Sequence, residues 1–262
     1  MKKHNNNRTK QENVAADVAY VYGRKTILDI VNSNPKKILK LFLRQGIKET
    51  TDLLTIKKSI ALKSEQIKSL SALDFDNLFK DYNHQGIVAE IKPKELLGSK
   101  ELIKFSLTEG KGIILVLDEI NDPHNLGAIL RVADAAGVDG VIVGKNRSTL
   151  ITPTVRKVSA GASEFVNVAA VSNISQTILD LKKAGFWIIG TALEEKSEDI
   201  FEFKCQPPFA IVLGSEGSGL RQLTITNCDY LVKIPMSGSV QSLNVSNSAA
   251  IVLFEMLRKV RQ

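Results

Sequence analysis

From Gly112 to the C-terminus, short apolar runs alternate with segments of helical period, and few folds accept that rhythm. The runs are "IILVL" (113–117), "GVIVG" (140–144), "FVNVAAV" (165–171), "FWIIGTA" (186–192), "FAIVLG" (209–214) and "YLVKIP" (230–235). Helical spacing falls between them at 125–137, 152–163, 173–184 and 219–227, and again at 245–260. Runs that are apolar throughout, rather than at every second residue, belong to strands covered on both faces. This predicts an α/β fold with a mostly parallel sheet. Ligands of such sheets bind beyond the carboxyl ends of the strands.

The residues before Gly112 read differently. Residues 1–16, rich in Asn and basic, have no periodicity and are expected to be a disordered basic tail. Over 17–95 the patterns "GRKTILDIVNS", "KKILKLFLR" and "GIVAEIKP" alternate helix and strand, predicting a second, smaller α/β domain. The polar stretch 96–111 reads as a linker able to carry one short helix, and 112–262 as the larger domain. Charge separates the two parts. Residues 1–98 hold 18 Lys and Arg against 11 Asp and Glu, whereas 99–262 hold 17 of each. A basic module beside a neutral one suggests a part that holds a polyanion.

Two cysteines, Cys205 and Cys228, form neither a disulfide framework nor a CxxC pair, and three scattered histidines suggest no metal site. No apolar run approaches the length of a membrane span, and the polar N-terminus does not resemble a signal peptide. These features predict a cytoplasmic protein with no membrane partner.

Three loops carry the chemistry. In "DEINDPHNLGAILRVADAAG" (118–137), Asp122-Pro123 is a helix start. Leu126, Ile129, Leu130, Ala133 and Ala136 share the core face, and Arg131 points away from it. "IVLGSEGSGL" (211–220) runs a strand into a glycine-rich bend with one acid, Glu216. It is neither a P-loop nor a GxGxxG turn. "IPMSGSVQSLNVSNSAAIVLFE" (234–255) spends a long polar stretch between a strand and an apolar helix. Its hydroxyls and amides suit a ligand gripped by backbone and neutral groups. All three lie at the ligand-binding edge of the expected sheet.

In order and spacing these stretches resemble the three signature motifs of the SpoU/TrmH family of RNA 2′-O-methyltransferases. The resemblance covers 112–262, and the basic module resembles the family's N-terminal substrate-binding domain. It implies a deep trefoil knot formed by residues from about 210 to 262. It implies S-adenosylmethionine as methyl donor, held against Thr191, Gly214, Ile234 and Leu243, with the polar stretch as pocket wall. It further implies Arg131 as the catalytic arginine, with Asn125, Glu216, Ser242 and Asn244 as the other active-site residues. The implied partners are RNA, a large-subunit ribosomal guanosine for chains with this N-terminal module, and a second copy of the chain. "SAAIVLFEMLRKV" is apolar around most of its circumference, which fits burial by a partner subunit as well as by the sheet. DNA is excluded as substrate because it lacks the 2′-hydroxyl. Two other readings stay open at this point: the same chemistry on a tRNA guanosine, and a non-catalytic RNA-binding assembly factor.

Overall fold

The computed structural model describes residues 18–60, 64–80 and 82–260, and the tail expected over 1–16 lies outside them. The chain divides into two compact units, Met1–Lys94 and Glu95–Gln262.

The first unit runs β1 (Ala19–Tyr22), α1 (Arg24–Ser33), β2 (Ile38–Arg44), α2 (Thr51–Ser59), β3 (Ile67–Leu70), α3 (Ala72–Leu78) and β4 (Ile87–Ile91). Its sheet has the order β1-β4-β2-β3, with β4 antiparallel to both neighbours and β2 parallel to β3. The apolar period of α1 buries Ile27, Ile30 and Val31. Thr50 and Ser71 cap α2 and α3 by accepting from the N–H groups of Leu53 and Asp74. Around Phe42, Phe75, Phe79 and Val88 an aromatic cluster closes the small core.

The second unit opens with α4 (Ser99–Thr108), β5 (Ile113–Leu117), α5 (Pro123–Ala136), β6 (Gly140–Gly144), α6 (Pro153–Val158) and β7 (Val168–Val171). It continues through α7 (Ile174–Lys183), β8 (Trp187–Thr191), β9 (Glu198–Asp199), β10 (Phe209–Leu213), α8 (Gln222–Asn227), β11 (Tyr230–Lys233) and α9 (Val245–Val260). The strand order is β7-β6-β5-β10-β8-β11-β9, and every pair is parallel. Strands β5, β6 and β10 are buried at every position. One face of the sheet packs on α5 and α9, the other on α4 and α7. None of the helices among the described residues is long and apolar enough to cross a membrane.

One expectation changes and two details are added. The stretch 96–111 contains α4, which buries Leu102, Ile103 and Ser106 and belongs to the second unit. Its charged neighbours conceal a narrow apolar face. The helix expected over 152–163 stops at Val158, because Ala160 and Gly161 take φ of 51° and 93° before a 3₁₀ turn at Ala162–Glu164. The two-residue strand β9 gave no pattern to read.

Two joints set the ligand edge of this unit. Asp122 caps α5 by accepting from the His124 N–H at 2.9 Å, with Pro123 in the first turn. At Gly127 a Cβ would sit 2.7 Å from Val158 Cβ, so only glycine lets α6 close on α5. At the other end of the unit, Lys259 is 8% exposed. Its Nζ donates to the Ile200 and Phe203 carbonyls at 2.5 and 2.6 Å and pairs with Glu255 at 3.1 Å. The Glu255 carboxyl is pushed down to about 2, first by the hydrogen bond from Arg258 and against its own desolvation. Its contribution is therefore complete above the ordinary value of 4.5 and is lost as pH falls toward about 2. Lys259→Met keeps the apolar stem but strands two carbonyls. We expect it to destabilise the protein by about 2–3 kcal/mol in urea unfolding.

Candidate active site

The loops after β5, β8, β10 and β11 meet at the carboxyl edge of the sheet. Loop 214–220 folds back on itself: the Ser215 N–H donates to the Gly219 carbonyl at 3.1 Å, and the Gly219 N–H returns the bond at 3.0 Å. A Cβ at Gly214 would lie 2.2 Å from the Gly219 carbonyl carbon, so the fold-back requires glycine there.

The base of this loop is tied to the end of β5. Asp118, 1% exposed, is ion-paired with Arg221, its Oδ1 lying 2.6 Å from Nη2. Its Oδ2 accepts from Arg221 Nε at 3.1 Å and from the Thr224 hydroxyl at 2.7 Å. The Arg221 guanidinium is held above its usual range first by this hydrogen bond. Neither Asp118, Arg221 nor Thr224 was among the expected site residues. The available signal was an acid ending an all-apolar strand, where the fold buries it.

Three amide and carboxylate groups join the three motif loops. Asn125 Nδ2 donates to Glu216 Oε2 at 3.0 Å. Asn244 Nδ2 donates to Asn125 Oδ1 at 2.9 Å and to Glu216 Oε2 at 3.3 Å. The orientation of Asn244 is fixed from behind, because its Oδ1 accepts from the Ser246 N–H at 2.9 Å and hydroxyl at 2.6 Å. Glu216 thus turns toward Asn125 and Asn244.

Beside this network lies a cavity of about 340 Å³. Thr191, Gly214, Glu216, Ile234, Ser242 and Leu243 all line it, with Leu193, Met236 and Val252 adding apolar wall. The Thr191 hydroxyl is turned to the Val212 carbonyl at 3.2 Å. Residues 234–243 make no hydrogen bond with any described residue. This strap therefore keeps its backbone donors and acceptors for solvent or a ligand. Asn125 and Asn244 reach the cavity through Glu216. Arg131 stands apart: it is exposed on α5, six residues beyond Asn125 and so about 9 Å along the axis. It makes no hydrogen bond or ion pair with the described residues.

The sequence profile of the SpoU rRNA Methylase family matches residues 112–254, and that for RNA 2′-O ribose methyltransferase substrate binding matches residues 20–97. The chain belongs to the SpoU rRNA methylase family. It is 40% identical over 240 residues to the 23S rRNA (guanosine-2′-O-)-methyltransferase RlmB of Pseudomonas putida, covering 91% of this chain and 96% of that one. The enzyme of the same name from Vibrio vulnificus is 38% identical, with 92% and 96% covered. In fold the chain is similar to the SpoU methyltransferase AviRb from Streptomyces viridochromogenes in complex with AdoMet. The TM-score is 0.74 at 23% identity, with 97% and 94% of the chains covered.

S-adenosylmethionine fits the residues present. The cavity is of small-molecule size. Its walls are apolar at Leu193, Ile234, Leu243 and Val252, as an adenine ring needs. The strap offers backbone groups that no other described residue uses. No group of three or more His, Cys, Asp or Glu among the described residues is placed to hold a metal ion.

Proposed function

We propose that this chain methylates the 2′-hydroxyl of a guanosine ribose in large-subunit ribosomal RNA, using S-adenosylmethionine. The observation that carries this reading is the Asn125–Glu216–Asn244 network set against a cavity lined by Gly214, Ile234 and Leu243. When bound, the donor supplies a methyl group on a sulfonium, activated without a metal.

The protein's own task is alignment and the handling of one proton. Gly214, Ile234 and Leu243 hold the donor mainly through backbone groups, and Thr191 closes its adenine side. Glu216 fixes Asn125 and Asn244, and Ser242 and Asn244 bound the space where the ribose enters. Such positioning can contribute roughly 7–11 kcal/mol to the barrier. Arg131 clamps the phosphate beside the target ribose and polarises its 2′-hydroxyl. A guanidinium keeps its proton at ordinary pH, so the proton leaves to phosphate or water.

The remaining organisation follows the same reading. The basic unit holds the RNA and the neutral unit places one nucleotide, in the cytoplasm where ribosomal RNA is made. The chain from about 210 to 262 forms a trefoil knot, supported by the way β11 passes β8 while α9 returns to pack on α5. Two chains pair through α9. That helix buries Val252, Leu253, Met256 and Leu257 within its own unit yet leaves Phe254 50% exposed. The partner therefore covers a strip around Phe254 rather than the whole helix.

Mapping 2′-O-methyl groups in total RNA, with and without the gene, tests the reading. We expect one guanosine methyl to vanish from large-subunit RNA. An unchanged ribosome with a tRNA methyl lost would overturn the substrate, and no lost methyl anywhere would overturn the activity.

A further inference from the structure

In the first unit, Arg24, Arg44, Lys48 and His84 surround a groove of about 490 Å³, floored by Gln85 and Gly86. Its one acid is already engaged. Asp76 accepts from Arg44 Nε at 3.0 Å and Nη2 at 3.1 Å, and lies 3.6 Å from His84 Nε2. The nearest further acid along the chain, Glu49, pairs with Lys57 at 2.9 Å.

Arg24 and Lys48 are therefore cations with no acidic partner among the described residues. Arg24 reaches only the Thr50 hydroxyl and the Lys48 carbonyl, both at a long 3.4 Å. Its Nε is buried without any hydrogen bond. The Arg24 side chain is only half-buried, so its terminal Nη groups stay open to an incoming anion.

The floor is built to stay put. Gln85 takes φ of 50° and Gly86 φ of 82°, with the Gly86 N–H donating to His84 Nδ1 at 3.1 Å. Gln85 Oε1 in turn faces the Arg24 N–H at 3.4 Å. Residues held at such angles are kept there by their surroundings, commonly at binding sites. No acid lies in the first turn of α1, which leaves the positive end of that helix beside Arg24 uncompensated.

We infer that this groove binds a phosphodiester of the RNA substrate, with Arg24 and Lys48 as its two ligating cations and Arg44, locked by Asp76, shaping the wall. The inference rests on the substrate reading above and locates one anchor point within it. Guanidinium takes phosphate through paired donors, and the Arg24 Nη groups, held only by long contacts, are the ones free to give them.

The test is filter binding of full-length large-subunit RNA to the whole chain across a salt series. The double variant Arg24→Gln, Lys48→Gln is compared with Lys36→Gln, Lys58→Gln, which removes equal charge from exposed positions elsewhere on the unit. The groove variant should bind roughly tenfold more weakly near physiological salt. Its log–log salt slope should be shallower by about two. Adenosylmethionine uptake measured by calorimetry should stay unchanged. Equal weakening in both variants would mean a diffuse basic field and would overturn the inference, as would undiminished binding by the groove variant. Wild-type protein that retains no RNA at all would instead overturn the substrate reading.

Discussion

Arg131→Lys should lower the methyl-transfer turnover number by at least about a hundredfold, while leaving the adenosylmethionine dissociation constant within about threefold. The argument begins with what Arg131 lacks. It is exposed, and no described residue pairs with it. Removing its fork therefore strands nothing inside the chain, and thermal unfolding should not move. Lysine keeps the charge and the reach but offers a point donor in place of a planar pair. Removing a donor aimed at charge that develops in the transition state costs about 2.7–4 kcal/mol, hence the factor of about a hundred or more. Single-turnover kinetics at saturating RNA checks this directly. A variant with near-normal turnover would show that charge alone suffices and that no fork is engaged.

The largest stability effect belongs to a residue outside the motif positions. Arg221→Met leaves the Asp118 carboxylate buried with only the Thr224 hydroxyl to meet it. Breaking the pair from one side should cost about 3 kcal/mol, the low end for a buried pair, because the Arg221 side chain keeps 43% of its surface in water. For a chain of this size that lowers the melting temperature by roughly 10 °C. Adding Asp118→Asn should return much of the loss, because the stranded charge goes with it. A double-mutant cycle in urea measures this coupling. If the single variant melts with the wild type, the tie between β5 and the 214–220 loop carries no weight. Donor binding should weaken in the single variant, since that loop walls the cavity.

Local signals in the sequence found most of what is local in the structure. Asp122-Pro123 announced the start of α5, and the period of Leu126, Ile129, Leu130 and Ala133 placed its buried face. The apolar runs gave the parallel strands, because strands covered on both faces need no alternation. Asn125, Glu216 and Asn244 were singled out through their motifs, and the structure adds that they bond to one another. What escaped notice was either long-range or too short to repeat. The Asp118–Arg221 tie joins residues 103 apart, and nothing near either one announces the other. Strand β9 has two residues, fewer than any period. The apolar face of α4 is interrupted by lysines and glutamate, and so it passed for a linker. That Arg131 has no partner among the described residues is a fact about empty space, which no pattern of residues records.

The bond from Asn125 to Glu216 spans 91 positions, and that from Asn244 to Asn125 spans 119. Contacts of such separation form only after intervening chain has been placed, which makes assembly slow. A nascent polypeptide released before Asn244 lacks one corner of the triangle, and a proteolytic nick in the polar strap lets that corner drift. On the proposed function, competence for reaction therefore waits on the last of these long-range bonds.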